Sequence, residues 1–185
     1  MVKAISEGAG AFLQHYPRVA VVVTAQALGH ENAMTVDWHT PLSLNPPLYG
    51  IAVAPQRFTY QLIAESKEFG LNFLPFEMVE LVALVGSTGG WQVDKFQSFN
   101  INREQPVKTT VPILEAAYAA YECRLVDDRE YGDHRLLVGE IVAVHQLKEV
   151  FTPEEMLNLN IVSPVLYLGH EFYLTAARET IREIL

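Results

Sequence analysis

The stretch from Asn32 to Tyr60, "NAMTVDWHTPLSLNPPLYGIAVAPQRFTY", fixes the reading of the fold. Its first part returns from the valine run "RVAVVVTAQA" (18–27) across the glycine turn "LGHEN". β-Branched residues, a turn and partial alternation together read as a hairpin over Arg18 to Leu44. Asn45-Pro46-Pro47 is then a turn, since each proline fixes its backbone angle and offers no N–H. "LYGIAVA" is a third strand and Pro55 ends it. Phe58, Leu62 and Ile63 share one face of a short helix that runs to about Ser66.

Working outward, Lys3 to Gln14 reads as a short helix closed by Tyr16-Pro17, because a residue before proline avoids the helical region. "FGLNFLP" (69–75) is a fourth strand, "EMVELVALVG" (77–86) a helix, and "STGGWQVDKF" (87–96) a glycine loop. Two long strands follow, near Ala116 to Asp127 and His134 to Lys148, with "DREYGD" as their turn. A last helix is expected near Thr152, capped by its own hydroxyl with Glu155 three residues on. "PVLYLGHEFYLT" (164–175) reads as a closing hairpin before a charged helical tail. Strands outnumber helices and come as adjacent antiparallel pairs. The chain therefore reads as one mainly β domain over residues 1–185, an antiparallel barrel with short peripheral helices rather than a doubly wound sheet.

Composition narrows the function. Half of the 185 residues are hydrophobic, enough for a sizeable core. Thirteen basic against 22 acidic side chains give a formal charge of -9, which repels nucleic acid and anionic membranes, so neither is an expected partner. No apolar run approaches the roughly 20 residues of a membrane span, and the N-terminus lacks the apolar centre of a signal peptide, so the cytoplasm is the expected location. The single cysteine, Cys123, rules out an intrachain disulfide and alternates like an inert core residue. The six histidines show no i, i+4 pair, so no metal is expected. Nucleophile elbows, Walker loops and G-x-G-x-x-G are absent.

Four segments carry polar groups that a plain core does not ask for. In "APQRFTY", Arg57 and Thr59 sit where a helix begins, and a phosphate wants a guanidinium, a hydroxyl and helix-terminal N–H donors. The plainer alternative is that Thr59 caps the helix and Arg57 is a solvated charge. In "NAMTVDW", Asn32, Thr35 and the backbone of Met34 and Val36 suit the polar edge of a heterocycle, or else form a half-exposed strand. In "STGGWQVDKF", Ser87, Thr88 and the glycines suit an anion, with Asp94 and Lys95 paired to each other or orienting a ligand; otherwise it is a connecting loop. His134, at the mouth of a strand in "YGDHRLLVGEI", is either a surface histidine or a ligand contact.

In this order, "NAMTVDW", "APQRFTY", "STGG…VDKF", "GDHRLLVGEI" and "PVLYLG" resemble the flavin reductase-like family of FMN-binding split-barrel proteins, over about Pro17 to Tyr173. The family includes flavoredoxins and the reductase components of two-component monooxygenases. The resemblance implies a closed antiparallel split barrel of Greek-key type, a homodimer with FMN near its interface, and NADH or NADPH as electron donor. By position, Asn32, Ala33, Met34, Thr35 and Val36 would line the flavin. Arg57, Thr59, Ser87 and Thr88 would hold its phosphate, with Asn72 and Lys95 nearby and His134 where the nicotinamide docks. It further implies a flavin reductase, with a monooxygenase or redox protein as possible partner; a flavoredoxin-like electron carrier or a flavin-storing barrel remain alternatives. Two departures stand out. Asp37 replaces a frequent serine, and a carboxylate there would disfavour anionic reduced flavin and lower its potential. The 87–96 loop lacks an arginine, which shifts phosphate binding to Arg57, with Trp91 shielding the pocket.

Overall fold

Strand β1 (Arg18–Val19) leads into β2 (Val21–Ala27), which turns at Leu28-Gly29 and returns as β3 (His30–Val36). Both turn residues have positive φ, 52° and 77°, as the tight hairpin turn that matches strand twist requires. The computed structural model describes residues 2–10 and 12–184. Strands β4 (His39–Leu44), β5 (Pro47–Val53), β6 (Glu68–Phe73), β9 (Ala119–Tyr131) and β10 (His134–Gln146) complete one sheet, in the order β3-β2-β6-β9-β10-β5-β4. Every neighbouring pair in it is antiparallel.

The two ends of that sheet, β3 and β4, are consecutive in the chain and separated only by Asp37 and Trp38. So short a link reaches roughly 10 Å, so the sheet has to curl until its edges approach. The amide of Ala52 in β5 donates to the carbonyl of Trp38 at 2.8 Å, tying the link to the far side of the sheet. A barrel with one incompletely paired seam results.

The valine run is explained by burial on both faces. Val21, Val23 and Ala25 belong to the barrel interior with Ile51, Phe69, Leu71 and Leu137, while Ala20 and Val22 point outward beneath two helices. Two-sided burial removes the apolar–polar alternation. Helix α1 (Phe58–Ser66) adds Leu62 and Ile63 to the interior. Helix α2 (Val79–Ser87) packs Val82 and Val85 on the outer cluster, joined there by Phe96 of α3 (Lys95–Ser98). A short ribbon, β7 (Arg103–Glu104) with β8 (Ile113–Leu114), and a small sheet of β1, β11 (Leu166–Gly169) and β12 (Phe172–Leu174) cover the rest.

Several sequence expectations need correction. Of the N-terminal helix only a 3-10 turn at Phe12–Gln14 forms, for Gly8 and Gly10 take positive φ, 76° and 52°; Ala11 lies outside the described residues. The second arm of the first hairpin breaks after Val36, because His39–Leu44 pairs with β5 and not β2. No helix follows Thr152: its hydroxyl accepts the Met156 amide at 3.3 Å, and Glu155 has a φ of 63°, which ends any helical start. The tail forms only a 3-10 turn at Arg178–Thr180, with Ile181 and Ile184 exposed and no apolar face to hold a helix. The long hairpin runs to Tyr131, so its turn is shorter than "DREYGD". Cys123 is wholly buried, and burial with the nearby Glu122 charge pushes its thiol up to about 12. No helix among the described residues is long and apolar enough to cross a membrane.

Candidate functional site

The seam of the barrel opens into a cleft of about 470 Å³. Met34, Thr35 and Val36 of β3 form one wall, and Ala52, Val53 and Ala54 at the end of β5 the other. Arg57, Gly86 and His134 stand at its rim, and the β11–β12 turn closes it through Gly169, His170 and Glu171.

β3 is an edge strand, and its free backbone edge is what the cleft exposes. The carbonyl of Ala33 accepts the Lys95 ammonium at 2.7 Å, so it faces away from β2. By strand alternation the N–H and C=O of Thr35 face the same open side. Gly86 permits this approach of α2, since a Cβ there would stand 3.1 Å from Thr35 Cβ. The Thr35 hydroxyl is already used, donating to the Val82 carbonyl at 2.5 Å.

The rim carries the cationic groups. Arg57 is the residue before α1, its side chain is exposed, and among the described residues it forms no ion pair. No side chain caps α1, so the donors of its first turn remain open to an anion. Behind them lies Lys95, 2% exposed, donating to the carbonyls of Ala33 and Val85 at 2.7 and 2.6 Å. Burial, then repulsion from Arg57, lowers its ammonium to about 8. No carboxylate answers this charge among the described residues.

At the other end, Arg18 donates to a single Asp37 oxygen through two nitrogens, at 2.7 and 2.6 Å. Asp37 is therefore compensated by Arg18. Trp38 and His134 lie ring against ring at 4.6 Å and 33°, and His134 Nδ1 bonds Asp133 at 2.7 Å. That bond, with the attraction of the ring, lowers the exposed Asp133 carboxyl.

Of the residues singled out in the sequence, Met34, Thr35, Val36, Arg57 and His134 line the cleft. Ser87 lines an adjoining cleft that shares Thr35, Arg57 and Gly86, but its hydroxyl bonds back to Ala83 and Leu84. Thr88 ends α2 with its amide on Leu84. Four others lie behind the wall. Asn32 donates to the Thr59 hydroxyl at 2.8 Å with both buried, Ala33 packs in the outer cluster, and Asn72 joins Val22, Thr24 and the Leu114 amide. Trp91 lines a separate cleft instead of shielding this one. Sequence reasoning missed Trp38, Gly86 and the 169–171 turn. Only the turn left a signal, a Gly-His-Glu between two apolar strands, with φ of 117°, 49° and 64°.

Residues 13–175 match the profile of the family described as "Flavin reductase like domain". The chain belongs to this flavin reductase-like family. Its split-barrel fold is shared with an FMN-binding protein from Thermus thermophilus, solved with bound 1-cyclohex-2-enone: TM-score 0.88, 34% identity, 99% of this chain and 100% of that one. An Aeropyrum pernix protein without an assigned function is 34% identical over 155 residues, 83% of this chain but 58% of that protein. The reductase component of 4-nitrophenol 4-monooxygenase/4-nitrocatechol 2-monooxygenase from Rhodococcus opacus is 29% identical over 128 residues, 69% of this chain and 65% of its own length.

Proposed function

We propose that this flavin reductase-like chain holds FMN in the seam cleft and passes a hydride to it from NADH or NADPH. The observation that carries the reading is the unanswered positive charge at one end of a flat, backbone-lined cleft. Arg57, the open start of α1 and buried Lys95 converge there, and a phosphate dianion satisfies all three. The free edge of β3 at Thr35 offers alternating N–H and C=O groups to the polar rim of a heterocycle. FMN, when bound, supplies acceptance of a hydride and release of its electrons singly or in pairs.

The remaining work belongs to the protein. Met34, Val36, Ala52 and Ala54 keep water from the cleft floor, and Arg18 holds Asp37 so that no free carboxylate opposes negative charge. Trp38 and His134 form the wall against which a nicotinamide would stack, with His134 oriented by Asp133. Positioning of donor against acceptor is the whole catalytic contribution, and no side chain acts as a nucleophile. A second copy would cover Leu42 and Leu44 on edge strand β4, which are 46% and 95% exposed, and a monooxygenase would draw on the reduced flavin.

An anaerobic visible spectrum with FMN, before and after NADPH and then NADH, tests the reading. Bleaching at catalytic rates is expected. A protein-bound flavin band that stays oxidised with both donors would replace the reductase with an electron carrier, for which the charge of -9 suits docking to a basic partner. Absence of flavin binding would remove both.

A further inference from the structure

The loop after α2 builds a second site. A Cβ on Gly90 would lie 2.6 Å from the Asn32 amide group, which is itself bonded to Thr59 at the start of α1. Glycine thus lets the loop close against β3 and α1, and it delivers Trp91 to a defined place. Trp91 is 56% exposed but not free to swing: its indole N–H donates to the Gln56 carbonyl at 3.4 Å, and its ring lies 4.6 Å from Phe58 at 45°. Phe58 in turn meets His30 edge-on at 6.1 Å. A tryptophan held at its polar edge and tilted against Phe58 keeps exposed ring surface on which a planar ring can stack.

These rings stand over a cleft of about 630 Å³ whose other walls are polar. Gln26 and Gln92 bring amides able to meet a base edge, and Arg103 answers the carboxylate of Glu31 at 3.0 Å. The two clefts flank consecutive residues. Arg57 lines the first and Phe58 the second. A ligand whose phosphate sits at Arg57 and continues past it therefore arrives at Phe58 and Trp91. FMN ends at its phosphate and leaves this platform unused, whereas a dinucleotide does not.

We propose that the second cleft is an adenylate site, in which Trp91 and Phe58 stack the purine of a dinucleotide whose phosphates pass Arg57. The inference rests on the flavin reading of the first cleft. FAD, whose flavin half ends in the same phosphate as FMN, carries the required ADP moiety. Base-on-aromatic stacking of this kind changes affinity by about tenfold per base.

Calorimetric titrations of ADP, FMN and FAD into the wild type, Trp91→Ala and Trp91→Phe separate the possibilities. Trp91→Ala is expected to weaken ADP about tenfold while FMN stays within about twofold, with Trp91→Phe recovering most of the loss. FAD is expected to weaken together with ADP in Trp91→Ala, whereas FAD affinity unmoved by that substitution overturns the site. No measurable ADP binding, or equal weakening of ADP and FMN, overturns the site. Failure of the flavin reading has a different signature: FMN then does not bind the wild type, while ADP binds in a Trp91-dependent way.

Discussion

Glu122 and Lys95 are both hidden from solvent, at 0% and 2% exposure, yet the protein answers their charges differently. Glu122 accepts from the amides of Val107, Lys108 and Thr109, the Thr109 hydroxyl and His145, all within 2.6–2.8 Å. Burial alone would raise its carboxyl, but the Val107 amide, His145 and the other donors outweigh it and hold it at about 2. Every lone pair is engaged and residues 107–109 are pinned to β9. Lys95 has two carbonyls and no counter-ion among the described residues, so its charge is tolerated and not neutralised. A saturated buried charge belongs to the fold. An unsaturated one beside an open cleft points to an anion that arrives with the ligand.

The contrast can be broken by substitution. The largest effect is expected for Glu122→Ala, which strands four donors and His145, and costs on the order of 3 kcal/mol in urea denaturation. FMN affinity of the surviving folded protein stays unchanged. The pH dependence has a definite sign: the folded carboxyl, at about 2, lies below its ordinary 4.5, so this stability is present above pH 4.5 and is lost as pH falls toward 2. A wild type whose stability is flat through that window would remove Glu122 from its structural role.

Lys95→Met should act the opposite way. With the folded ammonium at about 8 against 10.5 unfolded, both states are protonated at pH 7 and burial of the charge costs about 3 kcal/mol there. Between pH 8 and 10.5 the unfolded chain holds the extra proton, so wild-type apoprotein gains stability as pH rises through that range. Lys95→Met flattens the rise and weakens FMN. Denaturation curves at pH 7 and 10 check the first effect. Arg57→Ala is expected to weaken FMN by about 1–3 kcal/mol, roughly 10- to 100-fold, and to leave stability within about 0.5 kcal/mol, since nothing else depends on that side chain. The smallest effect falls on His134→Ala, with flavin affinity intact and hydride transfer a few-fold slower in stopped flow. An unchanged rate would return His134 to the surface role.

How much of this was legible in the sequence follows from which physics acts locally. The turn at Leu28-Gly29, the helix after Arg57 and the two long strands are written in turn chemistry and periodicity and all formed, although the first hairpin ends at Val36 instead of Leu44 and the long strands meet in a shorter turn. Thr152 with Glu155 also carried a capping signal, but no apolar face followed to hold a helix, and the chain made a turn. The break at Asp37-Trp38 is a tertiary fact: β4 leaves β2 because β5 offers it a partner, and no local pattern announces that. At the site, Arg57, Met34 and Val36 came from motif and strand pattern together. Asn32 and Thr59 fell behind the wall because they satisfy each other, and Asn72 because Val22, Thr24 and the Leu114 amide satisfy it, all across elements distant in sequence. The Arg18–Asp37 pair spans 19 residues and became visible only once the barrel closed.

The measurement that bears most directly on the central claim compares FMN with riboflavin, which lacks the phosphate, by equilibrium titration of wild type and Lys95→Met from pH 7 to 9. If the cleft's unanswered cations serve a phosphate, wild type prefers FMN by about 100-fold or more at pH 7. That preference shrinks as pH rises through 8, and in Lys95→Met it is smaller and independent of pH. Equal affinities for the two flavins, or a preference identical in both proteins at every pH, would contradict it.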